Sequence, residues 1–295
     1  MGDRRDDERR RVELGRMPAA GPLYRRALLG ALPGAGGRGD GTLPAVEVAV
    51  GGVTVDRAHL AEYDRVCGFR LTDRLPATYP HVLGFPLGLR LMTGPGFPLP
   101  LVGLVHVANR ITVHRPVDAD EPLDLVGHAE DLRPHARGRQ VDVVLVASVG
   151  GTQVWRGVST YLRRERTPDG GAGRDPGERP APPAASARWR VDRQVGTDYA
   201  RVSGDHNPIH TSRVGARLFG FPRPIAHGMW SMARCLAALA NRLPGAYTVE
   251  VAFKLPVPLP STVDFSTTPE GGFALHDART GRPHLTGVLT QATPA

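Results

Sequence analysis

The chain reads as two unequal copies of one pattern. Val55-Asp56-Arg57 precedes Tyr63 by the same interval at which Val191-Asp192-Arg193 precedes Tyr199, an offset of 136 residues. At that offset Arg65, Val66 and Gly68 match Arg201, Val202 and Gly204. Pro80 and Gly84 match Pro224 and Gly228 once about eight residues are dropped from the first half. Later, Arg115-Pro116-Val117 with Leu123-Asp124 echoes Leu255-Pro256-Val257 with Val263-Asp264. Matches in one order point to an internal duplication, so the fold must be built from two similar units. The halves differ where chemistry would sit. The second has Asp205 where the first has Phe69, and the stretch carrying His210 is missing from the first.

A chain of 295 residues has room for about two domains at ~100–200 residues each. Residues 1–19 are strongly charged and read as a flexible tail. They lack the apolar segment of a signal peptide, and no apolar run reaches the ~18 residues of a membrane span. Residues 20–165 form the first, degenerate unit, opening with a short helix over Pro22–Leu32. A hairpin is expected around Gly51-Gly52, then helices over 59–66 and 80–92, then strands near 101–113, 123–130, 141–149 and 152–162. Residues 166–187 are rich in Pro, Gly and Ala and read as a linker. Residues 188–295 carry a helix-like approach to Tyr199, the motifs, a buried helix over 229–243, and strands near 247–255, 262–267, 273–277 and 283–290.

The net charge of +8 is carried almost wholly by arginine, with Lys254 the single lysine. It suits anionic small molecules, but no recognition helix, zinc spacing or aromatic RNA-binding strand supports nucleic acid. Cys67 and Cys235 lie in apolar segments, which fits reduced thiols in a cytoplasm.

The second half contains Ser203-Gly204-Asp205-His206-Asn207-Pro208-Ile209-His210 and Pro224-Ile225-Ala226-His227-Gly228-Met229. Pro208 keeps Asn207 out of the α region, so the first run reads as a turn presenting Asp205 and His210 together. Gly228 opens an apolar run, Met229, Trp230, Met232, Ala233, Leu236, Leu239 and Ala240, at helical spacing. The free N–H groups at such a helix start favour negative charge. An acid, an imidazole and an oxyanion site thus lie close in sequence, which suits acid–base catalysis.

These runs, with Tyr199 before them, resemble the signature of the MaoC-like dehydratases, the (R)-specific enoyl-CoA hydratases or hydratase 2. The likeness is strong over about 190–290 and weaker over 45–165, where VCGF and LPATYPHVLGFPL look like the degenerate half of two-domain members. The resemblance implies an α+β double hot-dog fold, two antiparallel sheets each wrapped around a long helix and joined edge to edge. It implies an acyl thioester substrate on coenzyme A or acyl carrier protein, with no metal or redox cofactor. Asp205 and His210 would hold a water against the enoyl double bond, and the Gly228 N–H would meet the thioester oxygen. Asn207 and Ser203 would brace the turn, His227 would orient the site, and Arg223 and Lys254 would stand near the tunnel mouth. The oligomer implied is a pseudo-dimeric monomer or a homodimer.

Asp205 alone would suit an Asx turn, and His210 alone a structural histidine. Asp205, His206, His210 and His227 match no common zinc spacing. Two other functions stay open: a hot-dog thioesterase, which does not need the Asp–His run, and a non-catalytic acyl-thioester-binding subunit, suggested by the degenerate first half.

Overall fold

The computed structural model describes residues 9–30, 41–165 and 182–291, with only the backbone described at 27–30. The first half runs β1 (Arg10–Glu13), α1 (Ala20–Gly30), β2 (Val46–Val53), α2 (Arg57–Cys67), α3 (Tyr79–Met92), β3 (Leu104–Val113), β4 (Leu123–His135), β5 (Gly138–Val149) and β6 (Thr152–Arg164). The second runs β7 (Ala187–Val191), α4 (Val195–Ser203), α5 (Pro208–Thr211), α6 (Arg213–Leu218), α7 (Gly228–Leu239), β8 (Tyr247–Phe253), β9 (Ser261–Thr267), β10 (Gly272–Asp277) and β11 (Pro283–Gln291).

All eleven strands form one sheet in the order β1-β2-β4-β5-β6-β3-β8-β11-β10-β9-β7. Outward from its centre, β3-β6-β5-β4-β2 on one side repeats as β8-β11-β10-β9-β7 on the other. The duplication read from sequence is therefore a duplication of topology. The halves meet through the antiparallel pair β3–β8, where Arg110 stands opposite Glu250. These two are 140 residues apart, the interval that also separates Pro116 from Pro256, so equivalent residues face each other at a local two-fold axis. Tyr63 and Tyr199, another equivalent pair, are both buried with ring centroids 6.3 Å apart.

Equivalent glycines end equivalent helices. Gly68 caps α2 at φ 80° and Gly204 caps α4 at φ 73°, a left-handed conformation that suits glycine. After them the halves part. Phe69 stacks on Tyr63, centroids 6.3 Å apart, and serves the core. α3 begins at Tyr79 and so places Gly84 in its interior, whereas α7 begins at Gly228 itself. At Gly84 a Cβ would stand 2.9 Å from Leu145 Cδ1, so this glycine lets α3 lie close on β5 and opens no helix terminus.

α7 buries Met229, Trp230, Met232, Ala233, Cys235, Leu236 and Leu239 in the main core, and Trp230 Nε1 donates to the Val66 carbonyl of α2 at 3.0 Å, tying the halves together. It ends at Leu239, short of the expected 243, and Ala240 is exposed in a 3₁₀ turn.

Three expectations need correction. Residues 10–13 of the expected tail form β1, parallel to β2, because backbone groups of the sheet edge take it up as an added strand. Gly51-Gly52 makes no hairpin; β2 continues through it with a register shift between Val50 and Val53 against β4. α6 and β7 occupy segments in which no element was expected. Most of the expected linker lies outside the described residues. No helix among the described residues is long and apolar enough to cross a membrane.

Candidate active site

The Asp205–His210 run folds as two nested side-chain turns. Asp205 Oδ1 accepts from Asn207 N at 3.2 Å, and Asn207 Oδ1 accepts from Ile209 N at 3.3 Å. Pro208 starts α5, where its missing N–H costs nothing, and Asn207 caps it. The expected turn therefore contains one turn of helix, and His210 sits within that turn. Ser203 Oγ accepts from Asp205 N at 3.2 Å, so its hydroxyl braces the carboxylate's own backbone.

The second motif lies against the first. Ile225 N donates to the Ile209 carbonyl at 3.1 Å, and Ala226 N to the Val257 carbonyl at 2.8 Å. The Ile225 carbonyl lies 2.8 Å from His210 Nδ1. A carbonyl only accepts, so Nδ1 carries the proton, and the neutral ring presents Nε2 as a bare lone pair. His227 stacks on His210 with centroids 3.6 Å apart, and its Nε2 donates to the Asp205 backbone carbonyl at 3.0 Å. His227 therefore touches both the acid and the imidazole.

Burial pushes the His210 pKa below its ordinary value and that of His227 down to about 3, so both rings are neutral at pH 7. Burial opposes the ionised form of Asp205, but the His227 and His210 rings, a tyrosine hydroxyl and the Asn207 N–H outweigh it and hold the carboxyl below its usual range. That hydroxyl belongs to Tyr24 of α1, whose Oη donates to Asp205 Oδ1 at 2.5 Å. The Asp205 side chain stays 27% exposed while that of His227 is 3% exposed, so the carboxylate is the part a substrate can reach.

Gly228 follows His227 directly and is the first residue of α7, so its N–H is among the first-turn donors with no acceptor inside the helix. The site is thus an ionised acid, a neutral imidazole with a free lone pair and a helix start, drawn together from α4–α5 and α7.

The MaoC like domain family matches residues 178–285. The chain is 40% identical over 268 residues to 3-hydroxyacyl-thioester dehydratase X of Mycobacterium tuberculosis, covering 90% of this chain and 95% of that protein. It belongs to the MaoC-like dehydratases. Among other relatives, the (R)-specific enoyl-CoA hydratase of Aeromonas caviae is 36% identical over 63 residues, 20% of this chain and 47% of that protein. A crystal structure of HtdX of Mycobacterium tuberculosis superposes with a TM-score of 0.74 at 36% identity, over 83% of this chain and all (100%) of that one. A MaoC-like dehydratase from Phytophthora capsici shares the fold, with a TM-score of 0.66 at 20% identity over 84% of this chain and 96% of that one. The continuous sheet with α3 and α7 packed on it is the double hot-dog form of the MaoC-like fold.

Within this MaoC-like site, Asp205, Asn207, His210, His227, Gly228 and Ser203 are brought together. Arg223 and Lys254 are exposed. The Arg223 guanidinium donates to the Pro260 carbonyl at 3.2 Å, and Lys254 follows Phe253, whose ring lies against Gly228. Asp205, His210 and His227 also offer ligand atoms within 4.8 Å of one another. His210 Nδ1 and His227 Nε2 are already engaged with carbonyl groups, and the remaining His227 Nδ1 is buried. Tyr24 and the Ile225 carbonyl were not among the expected site groups. Tyr24 lies 181 residues from Asp205, and a backbone carbonyl leaves no mark on residue type.

Proposed function

We propose that this chain is a hydro-lyase that reversibly adds water across C2–C3 of trans-2-enoyl thioesters, giving (3R)-hydroxyacyl thioesters of fatty-acid metabolism. The observation that carries the reading is the His210 tautomer: a neutral ring with its Nε2 lone pair free, beside an ionised Asp205 and the start of α7. The names of its relatives, 3-hydroxyacyl-thioester dehydratase and (R)-specific enoyl-CoA hydratase, support the same reaction.

A water held by Asp205 and His210 gives a proton to His210 Nε2 as its oxygen bonds to C3. Charge then builds on the thioester oxygen, where the Gly228 N–H and the α7 dipole stabilise it. The imidazolium returns the proton to C2, and Asp205 stabilises it in the interval. The reaction so drawn uses no metal or redox cofactor. Asn207, Ser203 and His227 hold the two reacting groups in place. Arg223 and Lys254 suit the phosphates of coenzyme A or of a carrier protein's pantetheine arm at the surface. The fused pair works as its own pseudo-dimer, alone or paired again, in a cytoplasm where Cys67 and Cys235 stay reduced.

The test is loss of the enoyl-thioester absorbance with crotonyl-CoA and a long-chain 2-enoyl-CoA, with the product's hand read by a stereospecific dehydrogenase. Hydration to the (R) product, reduced ~10²-fold or more in Asp205→Asn and His210→Ala, is the expected result. Release of free thiol would identify a thioesterase instead.

A further inference from the structure

The N-terminal arm reaches the site from the far end of the sheet. β1 runs along the edge strand β2, and Arg9 and Arg11 pair with Glu130 and Glu47 at 3.4 and 3.1 Å. The chain then enters α1, which packs against α3 and carries Tyr24 to Asp205. The contact is specific in its atoms. Oδ1 accepts from Tyr24 Oη at 2.5 Å and from Asn207 N at 3.2 Å, while Oδ2 lies 3.9 Å from His227 Nε2.

We propose that Tyr24 is a positioning residue of this active site: by donating to Asp205 Oδ1 it fixes the carboxylate in one orientation and leaves Oδ2 to hold the reacting water. The inference rests on the hydratase reading for its kinetic consequence, but not for its structural one. Burial and the neighbouring carboxylate raise the Tyr24 hydroxyl far above its ordinary pKa, so it remains a donor throughout the working range. A phenol that does not ionise is a poor proton shuttle and a good fixed dipole. Its hydrogen bond favours the charged carboxylate, a charge-assisted contact stronger than a neutral one. Two donors on Oδ1 also make it the less basic oxygen.

Asp205 has other titratable neighbours. Besides His210 and His227, it feels His81 of α3, His106 of β3, Tyr161 of β6 and Tyr199 of α4. His81 and His106 are pushed by burial to about 4 and about 3, so neither carries charge near neutrality. The tyrosines are raised by burial and stay protonated. Among the described residues, Tyr24 is therefore the side-chain hydroxyl that bonds the carboxylate directly; of the other groups it also couples to Tyr161, which stays protonated.

Tyr24→Phe keeps the ring and deletes the donor, and thermal unfolding confirms that the variant is folded. In enoyl-CoA hydration kcat is expected to fall roughly ten-fold with KM nearly unchanged, the loss of one hydrogen bond to a charged group. Removing a donor to the ionised form raises the Asp205 pKa, so the acid limb of kcat/KM moves to higher pH. An unchanged kcat with an unmoved limb overturns the proposal. So does a rise in kcat/KM, which would make Tyr24 an obstruction. A second arm needs no turnover: ¹³C-carboxyl titration of aspartate-labelled protein, with Asp205 assigned by difference from Asp205→Asn. A higher Asp205 pKa in Tyr24→Phe supports the proposal even if the chain hydrates nothing, and an equal pKa removes it. A wild type without hydratase activity thus counts against the reaction, and the titration decides on Tyr24 separately.

Discussion

A Cβ built on Gly228 would lie 3.1 Å from the ring of Phe253, at the end of β8. The proposed oxyanion donor is therefore set against an aromatic wall with no space for even a methyl group at ease.

Gly228→Ala is expected to lower hydration at least ten-fold while the protein stays folded, because the start of α7 must shift by some tenths of an ångström and oxyanion donors are sensitive to placement. Phe253→Leu in the same chain gives the methyl group room and should restore part of kcat. Steady-state kinetics of the single and double variants check this. Equal losses in both would mean that the glycine matters for another reason.

Stability should fall in mild acid. His81, His106 and His227 are held by burial at about 4, about 3 and about 3, while in the unfolded chain they titrate near the ordinary value of 6.5. The folded pKa values are depressed, so the unfolded chain binds more protons in this window. The stability these neutral histidines carry is complete above about pH 6.5 and is lost as pH falls towards 3, at roughly 1.4 kcal/mol per pH unit for each. Asp205, held below its ordinary value, adds a loss of the same sign at lower pH. Urea unfolding at pH 7, 6 and 5 measures it, and His106→Gln should reduce the slope.

Asp64 acts in the opposite sense. It is buried on α2, both carboxyl oxygens lack a hydrogen-bond partner among the described residues, and burial raises its pKa to about 7. A raised carboxyl favours the fold at low pH and loses that advantage as pH rises through 7. Asp64→Asn carries no charge at any pH, so it should be the more stable protein at pH 8 by roughly 1–3 kcal/mol, the range for an unpaired buried polar group. At pH 5, nearer the unfolded carboxyl's ordinary value of about 4, the difference should be clearly smaller. Melting curves at both values decide.

The ion pair at the local two-fold axis should matter little. Arg110 Nε and Glu250 Oε1 are 3.3 Å apart, but both side chains are more than half exposed, at 59% and 53%. A double-mutant cycle with Arg110→Ala and Glu250→Ala is expected to give a coupling below ~1 kcal/mol. The joint between the halves is held instead by the β3–β8 ladder and by buried contacts such as Trp230 with Val66.

Most of the site was legible because its information is local. Asp205, Asn207, Pro208 and His210 form side-chain turns within six residues, and residue type dictates such turns. The apolar spacing after Gly228 likewise marked α7. What escaped was long-range. Tyr24 was placed on an expected helix, but no local rule says which distant carboxylate a helix face will meet. β1 escaped because a short charged stretch becomes a strand only when an open edge such as β2 receives it. Gly51-Gly52 looked like a turn because glycine permits both a turn and a bulge, and the partner strand β4 selects between them. Gly84 matched Gly228 in register yet has a different duty, set by Leu145 of a strand some sixty residues away.

The join of β3 to β8 also changes what a mutation can do. In a symmetric pair of identical subunits, a residue lining the neighbour's tunnel is encoded once and appears twice, so any change made for substrate fit also alters the equivalent place in the other copy. Here α3, with His81 and Phe85, and the Phe69 turn are written separately from α7 and the Asp205 turn. A substitution in α3 occurs once per sheet and leaves the residues of the Asp205 turn and of α7 unchanged in sequence. The two halves of one sheet are thus separately heritable, and a change in one need not be repeated in the other.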